Sequence, residues 1–167
     1  DNVVRCVMMM RVPRGVPGLP GGSRSGERCE RIVSLQDLFP TLTALCGLPP
    51  KPGVDGHNLA PLLEDPEWEW SHPAITTYDF NEFSIRTEGW HYIHYIDDSE
   101  ELYDLAADPE EWRNLALDPA YRGVRDRLAG HMPQNPAPVA ETSYQLAPHH
   151  IPPLKSKEEY EALRSGT

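Results

Sequence analysis

His91 and His94 stand three residues apart, and a pair of imidazoles is a common start for a transition-metal site. Their spacing argues against a shared cation. The residues around them alternate as a strand does, and on a strand positions i and i+3 point to opposite faces. His149-His150 lies among prolines with no third ligand nearby in the sequence, and reads as solvated surface. Asp97-Asp98-Ser99-Glu100-Glu101 is an acidic cluster. Calcium needs about six or more oxygens in fixed geometry, so the cluster reads better as a solvated hairpin tip. Asp79, Asn81 and Glu82 form a second polar turn, whose groups could contact a substrate or simply shape the turn. Arg86 calls for a carboxylate partner or an anion, and its position leaves both open. Cys6, Cys29 and Cys46 include no C-x-x-C pair, which excludes a zinc ribbon or a dithiol redox motif. Cys6 and Cys46 sit in apolar runs and read as buried small hydrophobes. H-E-x-x-H, a nucleophile elbow and an EF-hand loop are all missing. These residues do not assemble a complete active site by themselves.

The elements that would position them follow from periodicity. Residues 3–12 are an almost continuous apolar run, which predicts a strand buried on both faces of a parallel or mixed sheet. Val12-Pro13 ends it, and the Gly/Pro-rich stretch Gly15–Gly22 predicts a large loop. Ser34 as N-cap, Asp37 in the first turn and apolar residues at Leu35, Leu38, Phe39, Leu42 and Leu45 predict a helix over 34–46. Pro40 predicts a tight first turn before a second helical segment, and Gly47 a C-cap. Asn58 caps a short helix carrying Leu59, Leu62 and Leu63. From residue 74 the period changes to two. Ala74–Tyr78, Glu82–Thr87, Trp90–Ile96 and Glu101–Leu105 predict four strands. Their separators are too short for parallel crossovers, so the strands form an antiparallel meander. Asp108-Pro109 through Trp112 predicts a capped helical turn, and Asp118-Pro119 opens a helix to about His131. Residues 133–167 read as a Pro-rich arm with a short terminal helix started by a Ser156–Glu159 capping box.

Composition narrows the class. There are 18 prolines and 12 glycines among 167 residues, more turn-forming residues than average. The net charge is −11. An acidic body argues against a nucleic-acid partner, which needs cations to replace counterions. Six arginines against three acids make residues 1–31 locally basic, yet that stretch is Gly/Pro-rich and reads as a solvated connection. The sequence holds no run of about 20 apolar residues, so no membrane span is expected. The chain opens on Asp1, not Met, which leaves room for a preceding segment.

Four strings, in order, resemble the sulfatases of the alkaline-phosphatase superfamily. They are Ile32-Val-Ser-Leu-Gln-Asp-Leu-Phe-Pro-Thr-Leu42 with Ala44–Pro49, Asp55-Gly-His-Asn-Leu-Ala-Pro-Leu-Leu63, Ser84-Ile-Arg-Thr-Glu-Gly-Trp-His-Tyr-Ile-His-Tyr95, and Glu101-Leu-Tyr-Asp-Leu through Leu115. The iduronate- and choline-sulfatase-like branch is the most similar. The resemblance implies a fold between α/β and α+β. Residues 1–73 would end a large α/β domain, and 74–132 would form a C-terminal subdomain whose four-stranded antiparallel sheet packs on a helix. It also implies a C-terminal portion of an enzyme that hydrolyses sulfuric esters with calcium and a formylglycine made from Cys or Ser in C/S-x-P-x-R. None of the three cysteines here has proline two residues later, and the family's metal ligands precede this segment. The resemblance therefore implies no catalytic or metal residue here. It implies an upstream catalytic domain as partner, and a sulfated small molecule or carbohydrate as the substrate of the whole enzyme. Branch members often carry Gly-Asn-His where this chain has Asn81-Glu82-Phe83. Asp79 and Asn81 are the residues expected nearest a leaving group. A separately expressed, non-catalytic scaffold is the alternative. Full-length relatives are periplasmic, secreted, lysosomal or cytoplasmic, so no location is implied.

Overall fold

The computed structural model describes residues 6–77 and 81–134. The chain divides into two compact units, Asp1–His72 and Pro73–Thr167.

In the first unit, Ser34 begins the helical segment as its sequence demands. Its hydroxyl accepts from the Gln36 N–H, and the Asp37 carboxylate accepts from the Ser34 N–H at 2.7 Å, a reciprocal capping box. A 3-10 turn, Leu35–Asp37, runs into α1, Leu38–Leu45. Pro40 falls in the first turn of α1, where its missing N–H would have had no helical partner. Gly47 then takes a left-handed φ of 68° and closes the helix.

Asp37 and Thr41 are buried polar residues that tie this helix to the next segment. The second carboxylate oxygen of Asp37 accepts from the His57 N–H at 2.7 Å. The Thr41 hydroxyl donates to the Asp37 carbonyl and accepts from the Leu59 N–H at 2.8 Å. Gly56 lies so close beneath the Gln36 carbonyl that a Cβ there would overlap it. Asn58 caps the amide of Ala60 and starts α2, Ala60–Glu64.

Most of the Gly/Pro-rich stretch is exposed, as a solvated connection would be, but Val12 and Leu19 anchor it to the first unit. The Ser23 N–H donates to the Val12 carbonyl at 2.9 Å and the Ser23 hydroxyl accepts from the Val12 N–H, closing the loop. Val12 and Leu19 are thereby buried with Leu45 and Ala60, and Val16 and Leu63 pack on them. The expected strand over 3–12 is also absent where it can be seen. Residues 6–12 pair with no strand, and Val7 and Met9 are 85% and 89% exposed. An apolar run becomes a buried strand only beside a neighbour that takes its hydrogen bonds, and no described segment offers one. Residues 3–5 lie outside the described residues.

The second unit is the meander expected from the period-two pattern: β1 Ala74–Thr77, β2 Phe83–Arg86, β3 Trp90–His94 and β4 Glu100–Asp104, in the order β1-β2-β3-β4, all antiparallel. Thr87 and Trp90 close the two-residue Glu88-Gly89 loop, the Thr87 N–H donating to the Trp90 carbonyl at 2.9 Å. Register aligns Ile75, Ile85, Tyr92 and Leu102 in one row across the sheet. Val124 and Leu128 of α3, Arg122–Ala129, cover that row together with Leu115 and Ala116. Burying such a row contributes roughly 1.5–3 kcal/mol per large apolar side chain. Asp118 caps the 3-10 turn Pro119–Tyr121 that leads into α3.

The helical turn expected at Asp108–Trp112 does not form. Glu111 takes a left-handed φ of 58°, which no α-helix accommodates. The Asp108 carboxylate caps the Arg113 N–H instead, at 2.8 Å. The loop is pinned to β4 by Asn114, which accepts from the Leu102 N–H and donates to the Glu100 carbonyl. The expected arm falls almost wholly on residues 135–167, which lie outside the described residues.

Candidate functional site

The face of the sheet away from α3 gathers the polar side chains of β2 and β3. Arg86 and His91 are cross-strand partners. The reversed backbone at Glu111 delivers its carboxylate to both: Oε1 lies 3.3 Å from Arg86 Nη1 and 3.1 Å from His91 Nδ1. The other imidazole nitrogen, Nε2, is 2.7 Å from the Ser84 hydroxyl. His91 Nδ1–H thus donates to Glu111 and Nε2 accepts from Ser84. Burial lowers the His91 pKa below its ordinary value, and the Glu111 carboxylate opposes that shift only in part. The imidazole is neutral at pH 7. This settles the choice left open for Arg86, which pairs with a carboxylate.

Serine, histidine and glutamate in this order form the relay of a nucleophilic hydrolase. The setting is different. A nucleophile elbow lifts its serine onto a sharp turn beside free backbone N–H groups, whereas Ser84 sits inside a central strand whose backbone belongs to the ladder. The cluster joins Ser84, His91, Arg86 and Glu111 and fastens the Glu111 loop to the sheet.

The opposite end of the sheet holds the β1–β2 and β3–β4 connections. Asn81, in the first, has φ 58°, and Asp98, in the second, has φ 63°. His94, the last residue of β3, reaches both. Its Nδ1 donates to the Asn81 carbonyl at 3.2 Å, and its Nε2 lies 3.8 Å from Asp98 Oδ1. Of the acidic string Asp97–Glu101, residues 97–99 form the hairpin tip, with Asp97 capping the Ser99 N–H, whereas Glu100 and Glu101 belong to β4, where Glu100 accepts from the Tyr92 hydroxyl and pairs with Arg125. Asp79 lies outside the described residues. His91 and His94 engage different partners, as their strand spacing requires. His149-His150 also falls outside the described residues.

The cysteines differ from expectation. Cys6, Cys29 and Cys46 are free and exposed. Cys6 belongs to the uncovered apolar run, and Cys46 follows α1 on a side that the unit's core does not reach. Their apolar neighbours in sequence did not translate into cover.

Residues 1–137 match the family model described as N-sulphoglucosamine sulphohydrolase, C-terminal. This chain belongs to that sulfatase family. A sulfatase of Formosa agariphila is 31% identical over 136 residues, which are 81% of this chain and 26% of the relative. The Delta 4,5-hexuronate-2-O-sulfatase of Bacteroides thetaiotaomicron is 36% identical over 104 residues, 57% of this chain and 21% of that protein. The crystal structure of the phosphonate monoester hydrolase of Agrobacterium radiobacter superposes with a TM-score of 0.54 at 34% identity, covering 64% of this chain and 25% of that one. The four-stranded sheet with its helix is thus the C-terminal subdomain of the alkaline-phosphatase-like fold. The sulfatase chain here spans about a quarter of the length of these relatives.

Sulfatases of this family generally use calcium and formylglycine, and the described residues do not fit either group. Among them, no three or more His, Cys, Asp or Glu residues are grouped to hold a metal ion. Cys6, Cys29 and Cys46 lack the proline of the modification motif. Among the described residues no helix is long and apolar enough to cross a membrane.

Proposed function

We propose that this chain is the C-terminal part of an enzyme that hydrolyses sulfuric esters, with the nucleophile and metal supplied by an upstream domain of the same polypeptide. The observation that carries the reading is the family match over residues 1–137 in a chain that spans about a quarter of its relatives. Two features of the first unit support it. One face of its helical segment exposes Leu35, Phe39 and Leu42 at 62%, 50% and 53%, a stripe suited to an apolar partner. The run 6–10 likewise offers Val7 and Met9 to a neighbouring strand. On this reading residues 1–73 complete a large α/β domain, 74–132 form the flanking subdomain, and 133–167 are an arm.

The substrate of the whole enzyme is proposed to be a sulfated carbohydrate, the class named for the hexuronate sulfatase among its relatives. Asp79 and Asn81 are proposed to contact the leaving group; Asn81 lies in the connection that precedes β2, with a left-handed φ of 58°. The role of this chain is then to wall the cleft and orient the alcohol portion of the ester. Charge stabilisation at sulfur belongs to the upstream domain.

The test is to read the coding sequence upstream of Asp1 and to express the continuous polypeptide beside the isolated chain. An in-frame C/S-x-P-x-R block, with aryl-sulfate hydrolysis by the continuous polypeptide and none by the isolated chain, supports the reading. Sulfate release by the isolated chain overturns it. A start codon immediately before Asp1 would favour a separate scaffold.

A further inference from the structure

We propose that the stacked imidazoles of His57 and His72 form an acid-released fastener, which holds residues 66–72 to the rest of the first unit and lets them go when both rings are charged. Separate anchors bring the two rings together, all within the first unit. The Asp37 carboxylate accepts from the backbone N–H of His57 at 2.7 Å. Arg31 holds the other segment, its Nε donating to the Trp68 carbonyl at 3.2 Å and its Nη2 to the Glu67 carbonyl at 2.9 Å. The Trp70 indole N–H donates to the Ile32 carbonyl at 2.9 Å. His72 follows Trp70 by two residues and lies flat on His57, with ring centroids 3.6 Å apart and planes 19° from parallel. Trp70 stands nearly perpendicular to both rings, its centroid 4.8 Å from that of His72 and 6.1 Å from that of His57.

Imidazole is the side chain whose charge changes between about pH 5 and 8. Both residues are exposed, so water can bring a proton to either ring. Neutral rings gain contact by stacking, and a charged ring over a neutral aromatic face is also held. Two charged rings are not, because like charges this close repel even in water. Among the described residues, the charges on the packed elements do not offset a second proton. Asp37 supplies one carboxylate, whose two oxygens already accept from the Ser34 and His57 N–H groups. The Glu67 carboxylate lies 3.6 Å from Arg31 Nη2 and is balanced by it. Asp55 and Glu69 are exposed, where water and salt screen them. The sign follows from these charges. The fastener is closed while one ring or neither is charged, and it opens as the pH falls and the second ring takes its proton.

The experiment follows the Trp70 indole N–H of the whole chain by NMR, since its bond to the Ile32 carbonyl reports the closed segment. Its protection from solvent exchange, after allowance for the intrinsic pH dependence, should fall about tenfold between pH 7.5 and 5.0, which is about 1.4 kcal/mol. His57→Phe and His72→Phe each keep a ring to stack and leave a single chargeable partner, so in either variant the protection should change by less than about twofold. A wild-type chain that shows no acid loss overturns the proposal. A loss that persists in either single variant overturns it too, because one charge would then suffice. The imidazole C–H signals of the wild-type chain give a second reading that does not depend on how the variants fold. Two rings that titrate as one coupled pair support the fastener, and two that titrate independently overturn it.

Discussion

Replacing Glu111 with glutamine should loosen the second unit at one defined place. Glutamine keeps an oxygen to accept from His91 Nδ1–H, so the change isolates the charge facing Arg86. Arg86 and Glu111 side chains are 17% and 18% exposed and meet at 3.3 Å. At an effective dielectric of about 20, unit charges at that distance attract by about 5 kcal/mol before desolvation is subtracted. Desolvation offsets much of that in the intact pair, but a one-sided deletion removes this carboxylate from beside a mostly buried guanidinium. Such deletions cost about 3–5 kcal/mol, and the partial exposure here places Glu111→Gln near 3 kcal/mol. Arg86→Met strands the carboxylate and should cost a similar amount. In the double variant neither charge remains, so the loss should fall short of the sum by about 2 kcal/mol.

Native-state hydrogen exchange of the β2 and β3 amides is the assay, because it reads the opening of this unit without requiring the whole chain to unfold in one step. A loss below about 0.5 kcal/mol in Glu111→Gln would refute the reasoning. Strict additivity in the double variant would refute it too, since the side chains would then be acting through packing alone.

Three further outcomes follow from other contacts. His91 has a folded pKa below the ordinary 6.5, so its neutral form belongs to the native state; the second unit should keep its stability above pH 6.5 and lose it as pH falls from there toward the folded value, and melting curves at pH 7.5 and 5.5 should show a drop that His91→Gln reduces. Gly56→Ala should destabilise the first unit by about 1–3 kcal/mol, because its Cβ meets the Gln36 carbonyl backbone and not a flexible side chain; faster limited proteolysis of residues 30–65, with the second unit unaffected, is the readout. The isolated chain should self-associate through its uncovered apolar residues, and Phe39→Asp with Leu42→Lys should reduce that association in sedimentation velocity while leaving far-UV circular dichroism unchanged.

The four strands were legible because alternation is a local signal: Ile85, Tyr92 and Leu102 fall in register once the Glu88-Gly89 loop is recognised. The capped start at Ser34 and the Asp118 cap were legible for the same reason. What the sequence hid were relations set by partners. Residues 6–12 have the composition of a buried strand, yet strand formation depends on a neighbour, and composition cannot supply one. Glu111 read as part of a helical turn because helical propensity is local, whereas its left-handed φ is sustained by Arg86 and His91, some twenty residues earlier in sequence. The register alone pointed to the Arg86–His91 pairing, since the two residues flank a two-residue loop. It could not reveal the carboxylate that joins them.

The strings that place this chain in its family turn out to be mostly scaffold. Asp37 and Thr41 clasp the segment around Gly56, Arg86 is spent on Glu111, and Asn114 pins the following loop to β4. Each satisfies a buried polar group that would otherwise cost about 1–3 kcal/mol, which ties such residues to the fold and not to a substrate. The likeness to a phosphonate monoester hydrolase fits that view, because a shared scaffold does not fix the chemistry performed on it. Specificity must then reside where the scaffold leaves polar groups uncommitted. On the proposed reading Asn81 is such a residue, with a left-handed backbone and a carbonyl that accepts from His94. Substrate preference among related sulfatases should therefore vary with the residues of this turn and with the ring that holds it, more than with the signatures that identify the family.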